Sequence, residues 1–163
     1  MKYAIILAGG IGKRFWPLSK VDTPKQFLRL FSKASLLEET VLRVKEFIDL
    51  KNIHIATSIL YKKRFNRYIK KLGLKKTNLL FEPEIKNTFS PIAYLTYKIL
   101  KDDHSAIIFI FPADHYIKDK DRFLDALKKA EALSQKNFIV TLGIKPTYPE
   151  TEYGYIRVDS SFL

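Results

Sequence analysis

The chain of 163 residues contains no cysteine. This absence excludes disulfide bonds and metal sites built on thiolates, and it is compatible with a reducing compartment. Long apolar stretches are missing as well, since none approaches the roughly 18 residues that a membrane-spanning helix needs. The apolar run over residues 3–8 is too short for the core of a signal peptide, and no cleavage site follows it. We therefore expect a soluble, cytoplasmic protein without a membrane partner.

Arginine is scarce, with seven among the 29 basic residues, although the formal net charge is +12. A charge of this sign attracts anions in general, from nucleotides and sugar phosphates to nucleic acid. Arginine is the usual residue where phosphates or bases are held by paired hydrogen bonds, so the excess of lysine argues against a nucleic-acid partner. The densest basic stretch, residues 62–76, predicts an amphipathic helix with a solvated outer face. A polyanion-binding surface is the less favoured interpretation of this stretch.

The spacing of apolar residues predicts alternating strands and helices. Hydrophobic residues make up 47% of the chain and charged residues 28%, which is typical of a globular protein. The predicted strands cover residues 3–8, 53–57, 78–81, 106–111 and 138–142, with a further strand beginning at 155–158. The predicted helices cover residues 35–48, 61–72, 91–100 and 122–133. This alternation indicates an α/β fold with a Rossmann-like, mostly parallel sheet flanked by helices.

Ligands of such sheets bind at the carboxyl ends of the strands. The first predicted strand runs into Gly9 and Gly10, the third is followed by Glu82, and the fourth is followed by Pro112. We therefore expect the functional site to include the residues that follow these three strands.

The segment LAGGIGKRFWPLS over residues 7–19 has the composition of a phosphate-binding loop. Its three glycines permit a close approach of the backbone to a ligand, and Arg14 supplies a cation for phosphate oxygens. The segment lacks the GK[ST] ending of a P-loop and does not align with the GxGxxG dinucleotide fingerprint. Taken alone, the segment is also compatible with a tight turn that binds no ligand. Lys25 in the next loop, taken alone, is compatible with an ordinary surface lysine.

Five motifs in one order carry a more specific signal. They are LAGGIGKRFWPLS (7–19), TPKQFL (23–28), EPEIKNTFSP (82–91), PADH (112–115) and GIKPTYPETEYGYI (143–156). This series resembles the mannose-1-phosphate guanylyltransferases of the sugar-nucleotide pyrophosphorylase superfamily. The resemblance extends over residues 3–156 but covers only the front part of that family's catalytic domain, so we expect a nucleotidyltransferase-type fold truncated at its C-terminus.

The resemblance implies that GTP and mannose 1-phosphate are converted to GDP-mannose and pyrophosphate, with Mg²⁺ as cofactor. The sugar phosphate oxygen would attack the α-phosphorus in line, so the protein would mainly position anions and disperse charge. Three residues would be catalytic: Arg14 at the departing pyrophosphate, Lys25 beside the α-phosphate, and Asp114. The residues implied to contact the nucleotide are Leu7, Ala8, Gly9, Gly10, Gly12, Arg14, Lys25, Glu82, Asn87, Pro112 and Ala113.

Three of these implied roles have a direct chemical reason. Asp114 would be the metal ligand, because a carboxylate at the end of a strand suits a Mg²⁺ ion that bridges phosphate oxygens. Glu82 would select guanine, because its carboxylate can accept hydrogen bonds from both N1–H and the N2 amino group. The backbone at Gly154 would approach the sugar.

The sequence departs from the family pattern at Ile11 and Lys13 in the first loop and at Glu152 near the expected sugar entry. The family's later sugar-binding motifs and its second metal aspartate would lie beyond residue 163. We therefore interpret residues 1–163 as the nucleotide-binding front part of a catalytic domain, and we expect the chain alone to turn over poorly.

Two alternatives stay open from the sequence. One is a related sugar-1-phosphate nucleotidyltransferase that uses another base or sugar. The other is a non-catalytic nucleotide-binding module, or a half-enzyme that requires a partner chain. The sequence is also compatible with a homo-oligomer.

Overall fold

The computed structural model describes residues 1–10, 15–20, 22–84, 87–151 and 153–159. The chain divides into two compact units, Met1–Asp121 and Arg122–Leu163. In the described residues, no helix is both long and apolar enough to cross a membrane.

The first unit contains a four-stranded parallel sheet. Its strands are β1 (Lys2–Leu7), β2 (Ile53–Ser58), β3 (Leu79–Glu82) and β4 (Ile107–Pro112), and their spatial order is β3-β2-β1-β4. The chain moves outward from β1 to β3 and then returns to the other side of β1, so the direction of winding switches between β1 and β4. A ligand crevice forms at the carboxyl end of such a switch point. The predicted α/β fold with a parallel sheet is confirmed.

Helices α1 (Leu36–Val44), α2 (Lys62–Leu72) and α3 (Phe89–Asp102) connect these strands. Side chains alternate between the two faces of a strand, and on one face Tyr3 and Ile5 of β1 pack with Leu95 and Ile99 of α3. On the other face α2 covers the sheet, and its fully buried Phe65 has its ring centroid 6.2 Å from that of Phe81. Burial on both faces explains why β1 is an unbroken apolar run in the sequence.

Helix α1 begins at a capping box. The backbone N–H of Glu38 donates to Ser35 Oγ at 3.3 Å, and the Ser35 N–H donates to Glu38 Oε2 at 2.7 Å. These two bonds satisfy donors that would otherwise be unpaired at the helix start. The observed helix ends at Val44, four residues before the predicted end.

The second unit contains most of helix α4 (Lys120–Ser134). The strands predicted at 138–142 and 155–158 are not formed, and Ile139 is 99% exposed. An apolar segment becomes a strand only when its backbone pairs with a neighbour, and the described residues of this unit offer no such pairing. Here the sequence prediction was wrong.

Candidate active site

The ends of β1 and β4 lie side by side and bring two of the predicted segments together. Leu7 is in register with Pro112, and the N–H of Ala113 donates to the carbonyl of Leu7 at 3.1 Å. On the other side, the N–H of Ala8 donates to the carbonyl of Ala56 at 2.7 Å. Backbone hydrogen bonds therefore continue past the strands and hold the start of the glycine-rich segment at the carboxyl edge of the sheet.

Lys25 and Asp114 form an ion pair at this edge. The Nζ of Lys25 contacts Oδ2 of Asp114, and both side chains are mostly covered. Lys25 begins a short 3-10 turn, Lys25–Phe27, after the extended Pro24. A Cβ at Gly10 would lie 3.8 Å from Cε of Lys25, so the lysine stem passes over the glycine-rich segment. The structure thus places one cation and one carboxylate beside the switch point.

Helix α1 holds the loop that carries Asp114. The hydroxyl of Thr40 donates to the carbonyl of Ala113 at 3.3 Å. The guanidinium of Arg43 donates to the Thr40 hydroxyl and to the carbonyl of His115, each at 3.2 Å. Partial desolvation lowers the pKa of His115; Asp114 opposes this shift, and Lys25 and Arg43 add to it. The carboxylate of Asp114 is therefore mounted on a segment fixed from two sides.

Glu82 lies at the end of β3 with its side chain directed to the first loop. Its Oε2 would be only 3.0 Å from a Cβ added at Gly9, so the glycine makes room for the carboxylate. Glu82 is 8% exposed, and burial raises the pKa of its carboxyl. Within the described part of the chain, no group donates a hydrogen bond to this carboxylate. A covered acceptor of this kind is available to a ligand that brings its own donors.

The carbonyl of Ala8 is held by two side chains that the sequence analysis did not single out. It accepts hydrogen bonds from Gln26 Nε2 at 2.7 Å and from Thr57 Oγ1 at 3.0 Å. Gln26 is 1% exposed, and its Oε1 has no partner among the described residues. The position of Gln26 inside the TPKQFL motif was the available signal for its role. The sequence contained no signal for the roles of Thr40 and Arg43, because they lie on an ordinary amphipathic helix.

The remaining predicted site residues are Asn87, Gly154, Gly12 and Arg14. Asn87 is exposed and has a backbone φ of 57°, a left-handed conformation that asparagine adopts more readily than most residues. Gly154 lies in the second unit, where no described atom comes within 4 Å of an added Cβ. Gly12 and Arg14 are outside the described residues, as are Ile11, Lys13 and Glu152.

A sequence profile of nucleotidyl transferases matches residues 3–162, which include every residue of this edge. The chain belongs to the nucleotidyl transferase family.

Several relatives in sequence match this chain over part of their own length. A xanthan biosynthesis protein XanB of Xanthomonas campestris pv. campestris is 38% identical over 155 residues, spanning 94% of this chain and 32% of the relative. A mannose-1-phosphate guanylyltransferase of Salmonella montevideo is 37% identical over 158 residues, spanning 94% of this chain and 32% of the relative. This nucleotidyl transferase thus spans about a third of the length of the curated relatives it matches.

Solved structures agree with the fold. A protein of Thermus thermophilus described as mannose-1-phosphate geranyltransferase superposes with a TM-score of 0.83 at 34% identity, over 93% of this chain and 44% of that one. A CTP:phosphocholine cytidylyltransferase of Streptococcus pneumoniae superposes with a TM-score of 0.58 at 29% identity, over 73% of this chain and 47% of that one. The nucleotidyltransferase-type fold predicted from the motifs is confirmed.

Proposed function

We propose that this chain is the nucleotide-binding part of a mannose-1-phosphate guanylyltransferase, which forms GDP-mannose and pyrophosphate from GTP and mannose 1-phosphate. The observation that carries the proposal is the convergence of two features on the glycine-rich segment at one edge of the sheet: the Lys25–Asp114 pair, and the carboxylate of Glu82, which accepts no hydrogen bond from the described residues. Relatives named for this reaction support the choice of substrates.

Glu82 would select the base. Guanine presents two neighbouring donors, N1–H and the N2 amino group, which one carboxylate can accept together. Adenine and the pyrimidines lack this pair, so they would leave a covered carboxylate partly unsatisfied. An unpaired buried acceptor of this kind costs about 1–3 kcal/mol, and more when it is charged, which corresponds to a discrimination of roughly tenfold or greater.

The backbone of Gly9 and Gly10 and the ammonium of Lys25 would bind the phosphates. Lys25 already lies over Gly10, so a phosphate placed on the glycine-rich segment would meet the ammonium without a large movement. There the cation would stabilise the charge that develops when the sugar phosphate oxygen attacks the α-phosphorus. Arg14, assigned from the motif alone, would take the departing pyrophosphate.

Asp114 is suited to act as a magnesium ligand. Mg²⁺ is usually held by one or two carboxylates together with substrate phosphates and water. The described residues contain no group of three or more potential metal ligands. Phosphate oxygens and water would supply further ligands to the ion. When bound, the ion would neutralise charge on those oxygens. Lys25 would then pass from Asp114 to a phosphate, which frees the carboxylate.

The proposal assigns residues 1–163 to the nucleotide side of the reaction, with the backbone at Gly154 directed to the sugar. We also propose that the reaction takes place in the cytoplasm.

Calorimetric titration with GTP, ATP, UTP and dTTP, each with Mg²⁺, tests the proposal. We expect GTP to bind at least about tenfold more tightly than the others. Glu82→Gln should remove most of this preference, whereas Glu84→Gln, which changes an exposed carboxylate two residues away, should retain it. Selective binding of UTP or dTTP would instead indicate a related transferase. Equal binding of all four nucleotides, or none, would refute the proposal.

A further inference from the structure

Helix α2 presents a basic face to a cavity that is open to solvent. Arg64, Arg67, Tyr68 and Lys71 follow one another at helical spacing and therefore share a face. This face lines a cavity of about 390 Å³, together with the loop around Phe27 and Arg29 and the first turn of α1. We call this cavity the basic cleft. The sequence analysis had favoured a solvated outer face for this stretch.

Among the described residues, the positive charge of the basic cleft is compensated only in part. The lining carboxylate of Glu38 lies 2.5 Å from the ammonium of Lys71 and also accepts the N–H of Ser35. Across the described ranges, no carboxylate is within ion-pair distance of Arg29, Arg64 or Arg67. Three guanidinium groups thus line one cavity without an anionic partner among the residues that the structure describes.

The choice of arginine at these positions is informative in this chain. Lysine is about three times as abundant as arginine, yet three of the seven arginines line the basic cleft. Arginine differs from lysine in its planar fork of donors, which matches the oxygens of a phosphate group. A merely solvated surface would not require this fork.

An aromatic wall gives the basic cleft a defined shape. The ring centroids of Phe27 and Tyr68 are 5.2 Å apart, and the guanidinium of Arg64 lies 4.9 Å from the centroid of Phe27. Contact with an aromatic ring holds a guanidinium in place and reduces the entropy lost when it binds an anion. The same wall offers an apolar surface to a ligand.

We propose that the basic cleft binds a small organic phosphate ester, with its phosphate on Arg29, Arg64 and Arg67 and its organic part against Phe27 and Tyr68. The volume of the cavity is typical of small-molecule sites, which are concave and combine apolar walls with a few polar groups. A nucleic-acid backbone would instead require a long groove that follows successive phosphates. The proposal concerns a site additional to the Lys25–Asp114 edge.

The test follows the backbone amides and arginine Nε–Hε signals of the cleft by NMR. The probes are inorganic pyrophosphate, guanosine 5′-monophosphate and fructose 1,6-bisphosphate, each added with a chelator in the Lys25→Ala background. We expect saturable shifts at Arg29, Arg64 and Arg67, with at least one ester binding more tightly than pyrophosphate. If both esters bind more weakly than pyrophosphate, or no signal saturates, the proposal is wrong.

Matched variants separate the cleft from the general charge of α2. Arg64→Ala/Arg67→Ala should weaken binding at least tenfold. Lys63→Ala/Lys70→Ala removes the same charge from exposed positions of the same helix and should change binding less than twofold. Arg64→Lys/Arg67→Lys keeps the charge and the fold but should still weaken binding several-fold. Equal losses in the two alanine pairs, or tighter binding of a short single-stranded oligonucleotide than of either ester, would contradict the proposal.

Discussion

The close approach of Gly9 and Glu82 permits a quantitative test of the site geometry. A Cβ added at Gly9 would lie 3.0 Å from Oε2 of Glu82, whereas the next nearest atoms, the N of Ser58 and the Cα of Thr57, are 3.9 and 4.0 Å away. Only the carboxylate is therefore closer than ordinary van der Waals contact. Since Glu82 is largely buried, it has little room to move aside.

Two opposing contributions set the expected effect of Gly9→Ala. Overpacking a filled site costs about 1–3 kcal/mol. Replacing glycine by alanine where the backbone allows it stabilises by about 0.4–1 kcal/mol, because the unfolded chain loses freedom. Gly9 does not have a positive φ, so both contributions apply. We expect a net loss in the free energy of unfolding of about 0.5–2 kcal/mol, measured by urea unfolding followed by circular dichroism.

Two control experiments identify the cause of this loss of stability. In a Glu82→Ala background the close atom is gone, so Gly9→Ala should become stabilising by about 0.4–1 kcal/mol. Gly10→Ala should behave similarly in the wild-type chain, because its nearest contact, Lys25 Cε, is at 3.8 Å. An equal cost of Gly9→Ala with and without the Glu82 carboxylate would refute the assigned geometry.

Three other predictions concern the ionisable groups. Burial raises the pKa of Glu82, so GTP binding should weaken on acidification from about pH 8 to about pH 4, and the weakening should begin at a higher pH than the titration of an exposed glutamate would give. In calorimetric titrations, Glu82→Gln should abolish this pH dependence. Asp114→Asn should make GTP affinity insensitive to a chelator, whereas Asp121→Asn should leave the sensitivity intact; an unchanged response in Asp114→Asn would exclude this carboxylate as the ligand. Burial alone would raise the pKa of Glu38, but Lys71 and Ser35 outweigh it and the net pKa is lowered. The wild-type chain should therefore lose stability as pH falls below the unfolded-state pKa of 4.5 and through the lower folded-state pKa. Glu38→Gln should lower the free energy of unfolding by about 1–3 kcal/mol at neutral pH and should remove the loss of stability on acidification. Urea unfolding at neutral pH and below the unfolded-state pKa of Glu38 measures both effects. An unchanged loss of stability on acidification would contradict the role assigned to the Glu38 carboxylate.

The failure at residues 138–142 shows where sequence patterns stop being informative. This segment has the same apolar character as β1 and β4, yet it forms no strand and leaves Ile139 exposed. Local composition expresses a preference for extended backbone, but a strand exists only through hydrogen bonds to another segment. In the described part of the second unit, residues 138–142 form no strand, so the composition of this segment alone was not sufficient.

The sequence by itself determined the order and type of the elements in the first unit and the motifs that identify the family. It could do so because apolar periodicity is local, and because buried parallel strands are continuous apolar runs. Only the tertiary structure decided which atoms meet: Lys25 with Asp114, Glu82 with Gly9, and the arginines of α2 with the loop at Phe27. The physical reason is that each contact joins segments far apart in the chain, whose separation depends on strand order and loop packing rather than on the residues nearby.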